Sequence, residues 1–160
     1  MFKKTLIVLG LLVGMSVTFP SAAEGQGTTK LARGKYLVEI GGCNDCHTAG
    51  YAASGGKVPE PKWLLGDKLG YSGPWGTTYP INLREYFSKI SESEWVRKAK
   101  SLKAKPPMPF WALNAMSDTD LRAIYEFINS LGVVKSTVPA DLPPGVKPKT
   151  AFIQWPAPPK

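Results

Sequence analysis

Histidine and cysteine are scarce in this sequence, and their scarcity excludes whole classes of functional site. The 160 residues contain one His and two Cys. A single imidazole excludes sites that need two protein histidines, such as a two-His zinc site, and two thiols exclude a four-thiolate zinc or iron–sulfur site within one chain. The length fits one domain rather than two.

Long uncharged runs are also rare, and the one at the N-terminus has the pattern of an export signal. The cationic start Met1–Lys4 precedes 15 uncharged residues, Thr5–Phe19, and small residues follow at Ser21 and Ala23. This pattern predicts a signal peptide over residues 1–23, cleaved after Ala23, and therefore a periplasmic protein. The alternative is an uncleaved anchor, but the run is shorter than the ~20 residues that span a bilayer.

Helical patterns are interrupted by long segments rich in Gly and Pro. Capping residues and apolar spacing predict helices over residues 29–40, 91–102 and 117–131. Residues 49–79 are rich in Gly, Pro and aromatics and predict an ordered loop. A loop of this length in a compact domain usually surrounds a bound group or another part of the chain. Residues 139–160 contain seven prolines and predict an extended or disordered tail. The sequence therefore predicts three or four helices and no strand pair.

Both cysteines and the histidine fall in one five-residue motif. Cys43-Asn-Asp-Cys46-His47 is a C-x-x-C-H sequence, the signature of c-type haem attachment. Two thiols one helical turn apart can form thioethers to the two vinyl groups of one porphyrin, while His47 gives its Nε2 to the iron. A thioredoxin-like dithiol and a structural disulfide are the alternatives, but the motif follows a predicted helix rather than a βα unit. The motif predicts one covalent haem c.

The second axial ligand must come from another residue type, because no second His exists. Met is the usual partner of His in electron-carrying haem proteins. Once the leader is removed, the candidates are Met108, in a stiff Pro-rich loop, and Met116, which precedes the helix cap at Ser117. The loop favours Met108 as the ligand, while Met116 has the position of a packing residue. An iron without Met ligation is the third alternative.

Three further side chains are weaker candidates for contact with the haem. Trp75, Tyr79 and Arg84 carry N–H or O–H donors that could bond haem propionates. Ordinary packing is the favoured alternative for each of them.

A basic run of five cations in nine residues precedes the Met108 loop: Arg97, Lys98, Lys100, Lys103 and Lys105. The run predicts docking to an acidic redox protein, since complementary charge raises encounter rates. A solvated helix face is the alternative. An exported haem protein without an aromatic-basic face is not expected to bind nucleic acid.

At these residues the chain resembles the class I cytochrome c family. The stretches that carry the resemblance are Arg33–Leu37, Cys43–His47, Met108–Phe110 and Ser117–Leu131, in the family's order. The resemblance implies an all-α cytochrome c fold around one haem, over about residues 24–132, with a Pro-rich tail over 133–160 outside it.

The family also implies that the two terminal helices cross closely, with Gly34 against Tyr125 or Ile128 as the expected contact. The segment from Gly73 through Asn82 is weakly similar to cytochrome subunits of periplasmic alcohol and sugar-acid dehydrogenases.

The expected function is a periplasmic monohaem cytochrome c that transfers single electrons between redox partners, and not an enzyme. One alternative is a haem subunit of a larger dehydrogenase or oxidase complex, with contact to a membrane complex left open. Another is a haem enzyme or ligand sensor with an open sixth iron position.

Overall fold

The computed structural model describes residues 26–156, with side chains from residue 29 onward. The predicted signal peptide over residues 1–23 lies outside the described residues. Within them the chain forms six helices, one 3-10 turn at Glu60–Lys62 and three short strands: α1 Gln26–Ile40, α2 Cys43–His47, β1 Gly70–Gly73, β2 Gly76–Thr78, α3 Leu83–Phe87, α4 Glu92–Ser101, α5 Phe110–Ala115, α6 Asp118–Ser130 and β3 Phe152–Gln154. Among the described helices, none is both long and apolar enough to cross a membrane.

The caps of α4 and α6 confirm two of the helices predicted from sequence. The hydroxyl of Ser91 accepts from the backbone N–H of Glu94, and that of Ser117 accepts from Asp120. Such bonds satisfy backbone donors that the first turn leaves without partners. Gly132 follows α6 at φ +71°, as expected for a helix stop. The first helix was predicted to begin near residue 29, but α1 begins three residues earlier.

Helices α1 and α6 cross at Gly34 and form the centre of the fold. A Cβ on Gly34 would lie 2.1 Å from the Ala123 carbonyl oxygen and 2.7 Å from the Phe127 Cβ, so only glycine allows this approach. The close crossing was predicted, but its partners are Ala123 and Phe127 rather than Tyr125 or Ile128. Ile128 is buried in the core, and the Tyr125 hydroxyl donates to the Ile90 carbonyl.

The expectation of an all-α chain with three or four helices needs correction. Strands β1 and β2 form an antiparallel hairpin, and β3 pairs in parallel with β1 to give the order β2-β1-β3. Helices α2, α3 and α5 have only five or six residues, which is too short for an apolar period to reveal them. The third strand depends on pairing with residues more than 80 positions earlier in the chain, which no local pattern shows.

The Pro-rich tail is extended along the surface, as one of the two predicted alternatives. Leu142 exchanges both backbone hydrogen bonds with Thr77, at 3.0 and 2.9 Å. Further along, β3 places Phe152 beside Gly70. The tail therefore follows the Gly-rich loop and pairs with both edges of the hairpin, at β2 through Leu142 and at β1 through β3.

Candidate functional site

The C-x-x-C-H motif forms the short helix α2 directly after α1. Gly42 lies between them with φ +68°, a left-handed conformation that suits glycine and turns the chain sharply. Cys43 and Cys46 are three positions apart, so their side chains lie about one helical turn apart on the same side. Both cysteines are free and partly buried. Burial raises the pKa of the Cys43 thiol to about 11.

His47 at the end of α2 is held in the tautomer that a metal ligand needs. Its Nδ1 lies 2.8 Å from the Ile81 carbonyl oxygen. A carbonyl can only accept, so Nδ1 carries the proton and the lone pair of Nε2 is available to bind iron. Burial lowers the pKa of His47, an effect that the bond to Ile81 opposes.

A buried hydrogen-bond chain fixes α2 to the following loop. The Thr48 hydroxyl donates to the Asn44 side-chain oxygen at 2.7 Å, and the Leu64 backbone N–H donates to the same hydroxyl at 2.7 Å. Leu64 has φ +62°, which is rare for a residue with a side chain, and its side chain is fully buried. The Leu64 carbonyl in turn accepts from Leu83 at 2.9 Å. The loop that carries Ile81 is therefore tied to the motif helix.

The two methionine candidates have different surroundings. Met108 lines a mostly apolar cavity of about 390 Å³ together with Pro107, Trp111 and Trp155. The Met116 Cε lies 3.8 Å from where a Cβ on Gly41 would stand. Both side chains are partly buried and also contact the core. The lining of this cavity does not include Cys43, Cys46 or His47, so Met108 remains the predicted ligand on the basis of its Pro-rich loop alone.

Trp75 offers an unmatched donor, in contrast to the other two candidates for propionate contact. Its Nε1 is buried and has no hydrogen-bond partner among the described residues. A buried N–H without an acceptor is costly, and a propionate oxygen would satisfy it. The free thiols, the Nε2 lone pair of His47 and the unmatched Trp75 donor are groups of the kinds that a haem c would use.

Tyr79 and Arg84, unlike Trp75, have hydrogen-bond partners within the protein. The Tyr79 hydroxyl lies 3.0 Å from the Thr150 hydroxyl in the tail. The buried guanidinium of Arg84 donates to three backbone carbonyls, those of Pro61, Leu131 and Gly132. Since two of these carbonyls follow α6, Arg84 caps the C-terminus of that helix, and its Nε and both Nη atoms are engaged there.

The basic run before the Met108 loop is only partly free to meet a partner. Three of its members lie within 4 Å of a carboxylate: Lys98 with Glu94, Lys100 with Asp118 and Lys105 with Asp141. Arg97 and Lys103 are exposed. Partly neutralised pairs leave these two as the stronger candidates for contact with an acidic surface.

Two residues of the site gave no signal in the sequence. Ile81 contributes a backbone carbonyl, which every residue type has. Tyr71 lies on β1 beside the motif, where burial and then a hydrogen bond with Cys46 raise the pKa of its hydroxyl. Only the three-dimensional pairing of loop and hairpin places these residues at the motif.

A family model for cytochrome c matches residues 31–132, which is 102 of the 160 residues. No curated protein and no solved structure matches the chain. The matched region runs from α1 to the stop after α6 and includes the motif helix and the Met108 loop. The chain therefore belongs to the cytochrome c family and binds covalent haem c, with Cys43, Cys46 and His47 as the attachment motif.

Proposed function

We propose that this cytochrome c is a periplasmic carrier of single electrons with one haem, ligated by His47 and Met108. Membership of the family supports a haem-based role in electron transfer. One C-x-x-C-H motif and one His support a single haem, and the leader pattern over residues 1–23 supports export. Bound haem supplies an iron that alternates between Fe(III) and Fe(II).

The observation that carries the proposal is the fixed imidazole of His47 on the helix that holds both thiols. The 2.8 Å contact from Nδ1 to the Ile81 carbonyl orients the ring and keeps Nε2 unprotonated. Cys43 and Cys46 provide thioether anchors on the same turn. An electron carrier needs iron ligands whose positions change little between oxidation states. The bond from His47 to Ile81 and the two thioether anchors would hold the His47 ligand in this way.

The opposite side of the haem would be closed by the Met108 loop. Pro106, Pro107 and Pro109 flank the thioether and restrict the backbone on both sides. The adjacent cavity has a mostly apolar lining. A thioether ligand favours Fe(II) and raises the reduction potential.

Optical spectra of Met108→Ala and Met116→Ala test the ligand assignment. We expect the purified wild type to carry one haem by mass and to show the weak long-wavelength band that a Met sulfur gives to ferric haem. Met108→Ala should lose that band, while Met116→Ala should keep it. The opposite pattern would move the ligand to Met116. Rapid binding of CO by the reduced wild type would instead identify an open sixth position, as in a ligand sensor.

A subunit of a larger dehydrogenase or oxidase complex is the second candidate, and the tail favours it. Six large hydrophobic residues of the tail are exposed: Val133, Val134, Val146, Phe152, Ile153 and Trp155. A surface of this kind marks a protein interface in many soluble proteins. Size-exclusion chromatography of native periplasm distinguishes the two. Elution at no more than the 17.4 kDa of the full chain supports a free carrier, whereas co-elution with a dehydrogenase supports the subunit.

A further inference from the structure

The tail begins with a contact to the segment that holds His47. The Asn82 side-chain amide donates to the Val134 carbonyl and to the Ser136 hydroxyl, both at 2.8 Å. The Ser136 hydroxyl donates in turn to the Leu65 carbonyl. Asn82 is buried, and it follows Ile81 directly. We call this set of bonds between Asn82, Ser136 and Leu65 the tail clamp.

The tail clamp bridges the two segments that each hydrogen-bond to His47. Residues 80–82 supply the Ile81 carbonyl that accepts from Nδ1. Residues 64–66 supply the Gly66 N–H, which donates to the His47 backbone carbonyl at 2.8 Å. The clamp therefore holds the acceptor for the ring and the donor to the backbone at a fixed separation.

Packing at Gly66 reinforces the clamp. A Cβ on Gly66 would lie 2.5 Å from a methyl group of Val138 in the tail and 2.8 Å from the Pro80 carbonyl oxygen. The tail and both His47-bonded segments thus meet at a point with no spare space. A displacement of the tail at residues 134–138 would therefore shift the position of the Ile81 carbonyl.

We propose that Asn82 and Ser136 are positioning residues for the iron ligand His47, so that the tail tunes the haem. A firmly held Ile81 carbonyl strengthens the Nδ1–H bond and makes the imidazole a more basic ligand, which favours Fe(III). The tail lies beyond the matched region 31–132, so this control is an addition to the family domain. The inference rests on the proposed role of His47 as axial ligand.

The test compares Ser136→Ala and Asn82→Ser in the full-length haem protein. Serine is about as good a helix N-cap as asparagine, so Asn82→Ser keeps the cap of α3 but removes the side-chain amide that donates to both tail acceptors. Ser130→Ala is the matched control, because its hydroxyl only donates to the Phe127 carbonyl within α6.

We expect both clamp variants to have a higher reduction potential than the wild type, with the double variant no higher than the larger single effect. Exchange of the His47 Nδ1 proton, followed by NMR, should accelerate by about tenfold, equivalent to about 1.4 kcal/mol of lost restraint. Ser130→Ala should change neither quantity.

Unchanged potential and proton exchange in Ser136→Ala, in a protein with an intact low-spin haem spectrum, would overturn the clamp and leave the proposed function standing. If Asn82→Ser does not fold, Ser136→Ala is judged alone by the same two measurements. A wild-type spectrum without an imidazole ligand on iron would overturn the proposed function itself, and the clamp with it.

Discussion

Gly34 shows how a single residue sets the geometry of this fold. The backbone carbonyl of Ala123 occupies the position that any side chain at Gly34 would need. A glycine inside a helix costs about 1 kcal/mol of helix stability relative to alanine. Gly34 is nevertheless suited to the interior of α1, because the close packing of α1 against α6 outweighs that cost.

Gly34→Ala should destabilise the protein by about 3 kcal/mol or more, since overpacking against backbone cannot be relieved by a rotamer change. Chemical denaturation followed by helical circular dichroism measures this loss. Gly132→Ala is the control, because a Cβ there meets nothing within 4 Å and only the positive φ is unfavourable. Its cost should be about 1 kcal/mol. Equal costs for the two variants would contradict the close-crossing explanation.

Single residues can be identified from the sequence where their function requires a particular side chain at a particular spacing. Cys43, Cys46 and His47 were identified because thioether attachment and iron ligation need those side chains in that order. Ile81 could not be identified, since its contribution is a backbone carbonyl. The sequence did not distinguish two roles for Arg84, because a guanidinium can bind a haem propionate or the carbonyls at a helix C-terminus equally well.

At the scale of elements, the contact between α1 and α6 carries charged pairs as well as the glycine crossing. Arg33 on α1 donates from Nε to Asp120 on α6 at 2.9 Å. This hydrogen bond lowers the pKa of Asp120 and raises that of Arg33. Lys30 and Glu126 form a second pair across the same contact. Both pairs are partly exposed, so each adds little compared with the buried face.

The pair of Arg33 and Asp120 gives stability a specific dependence on pH. Because folding lowers the pKa of Asp120, its stabilising effect is complete above the unfolded pKa of about 3.9 and is lost as pH falls through the folded pKa. Urea denaturation should therefore show the wild type more stable than Arg33→Ala at pH 6, with the difference vanishing in acid. In an Asp120→Asn background, Arg33→Ala should have an effect that does not change with pH. A persistent difference in acid would show that Arg33 acts through packing.

Elements with both a cap and several turns were predictable, and the others were not. Helices α4 and α6 follow from Ser91, Ser117 and their apolar faces. Helices α3 and α5 have one turn or little more, and α3 is anchored by the contacts of its N-cap Asn82 with the tail. Strand β3 lies within a Pro-rich segment, which a sheet admits only at an edge, and β3 is an edge strand beside β1.

The molecule as a whole carries an excess of positive charge, and the basic run is part of it. The chain carries a formal charge of +8, and among the described residues Arg97 and Lys103 are the members of that run without a carboxylate within 4 Å. An acidic partner would approach faster and in a preferred orientation because of this charge.

Electron transfer to an acidic partner should slow by about tenfold as ionic strength rises from low to physiological values. Stopped-flow kinetics under second-order conditions would show the dependence. The double variant Arg97→Glu, Lys103→Glu should be slower at low salt than Lys57→Glu, Lys149→Glu, which has the same net charge. A flat salt dependence, or equal rates for the two double variants, would contradict docking at the basic run.

The parallel pairing of β1 with β3 also determines what an incomplete chain would expose. Residues 70–73 emerge from the ribosome about 80 residues before their partner at 152–154. Until that partner arrives, one side of β1 presents unpaired N–H and C=O groups, the kind of edge that recruits strands from other molecules. A chain cut shortly before residue 152 keeps the whole matched haem region, yet it leaves that edge open. By covering this edge of β1, β3 therefore prevents the hairpin from pairing with other molecules.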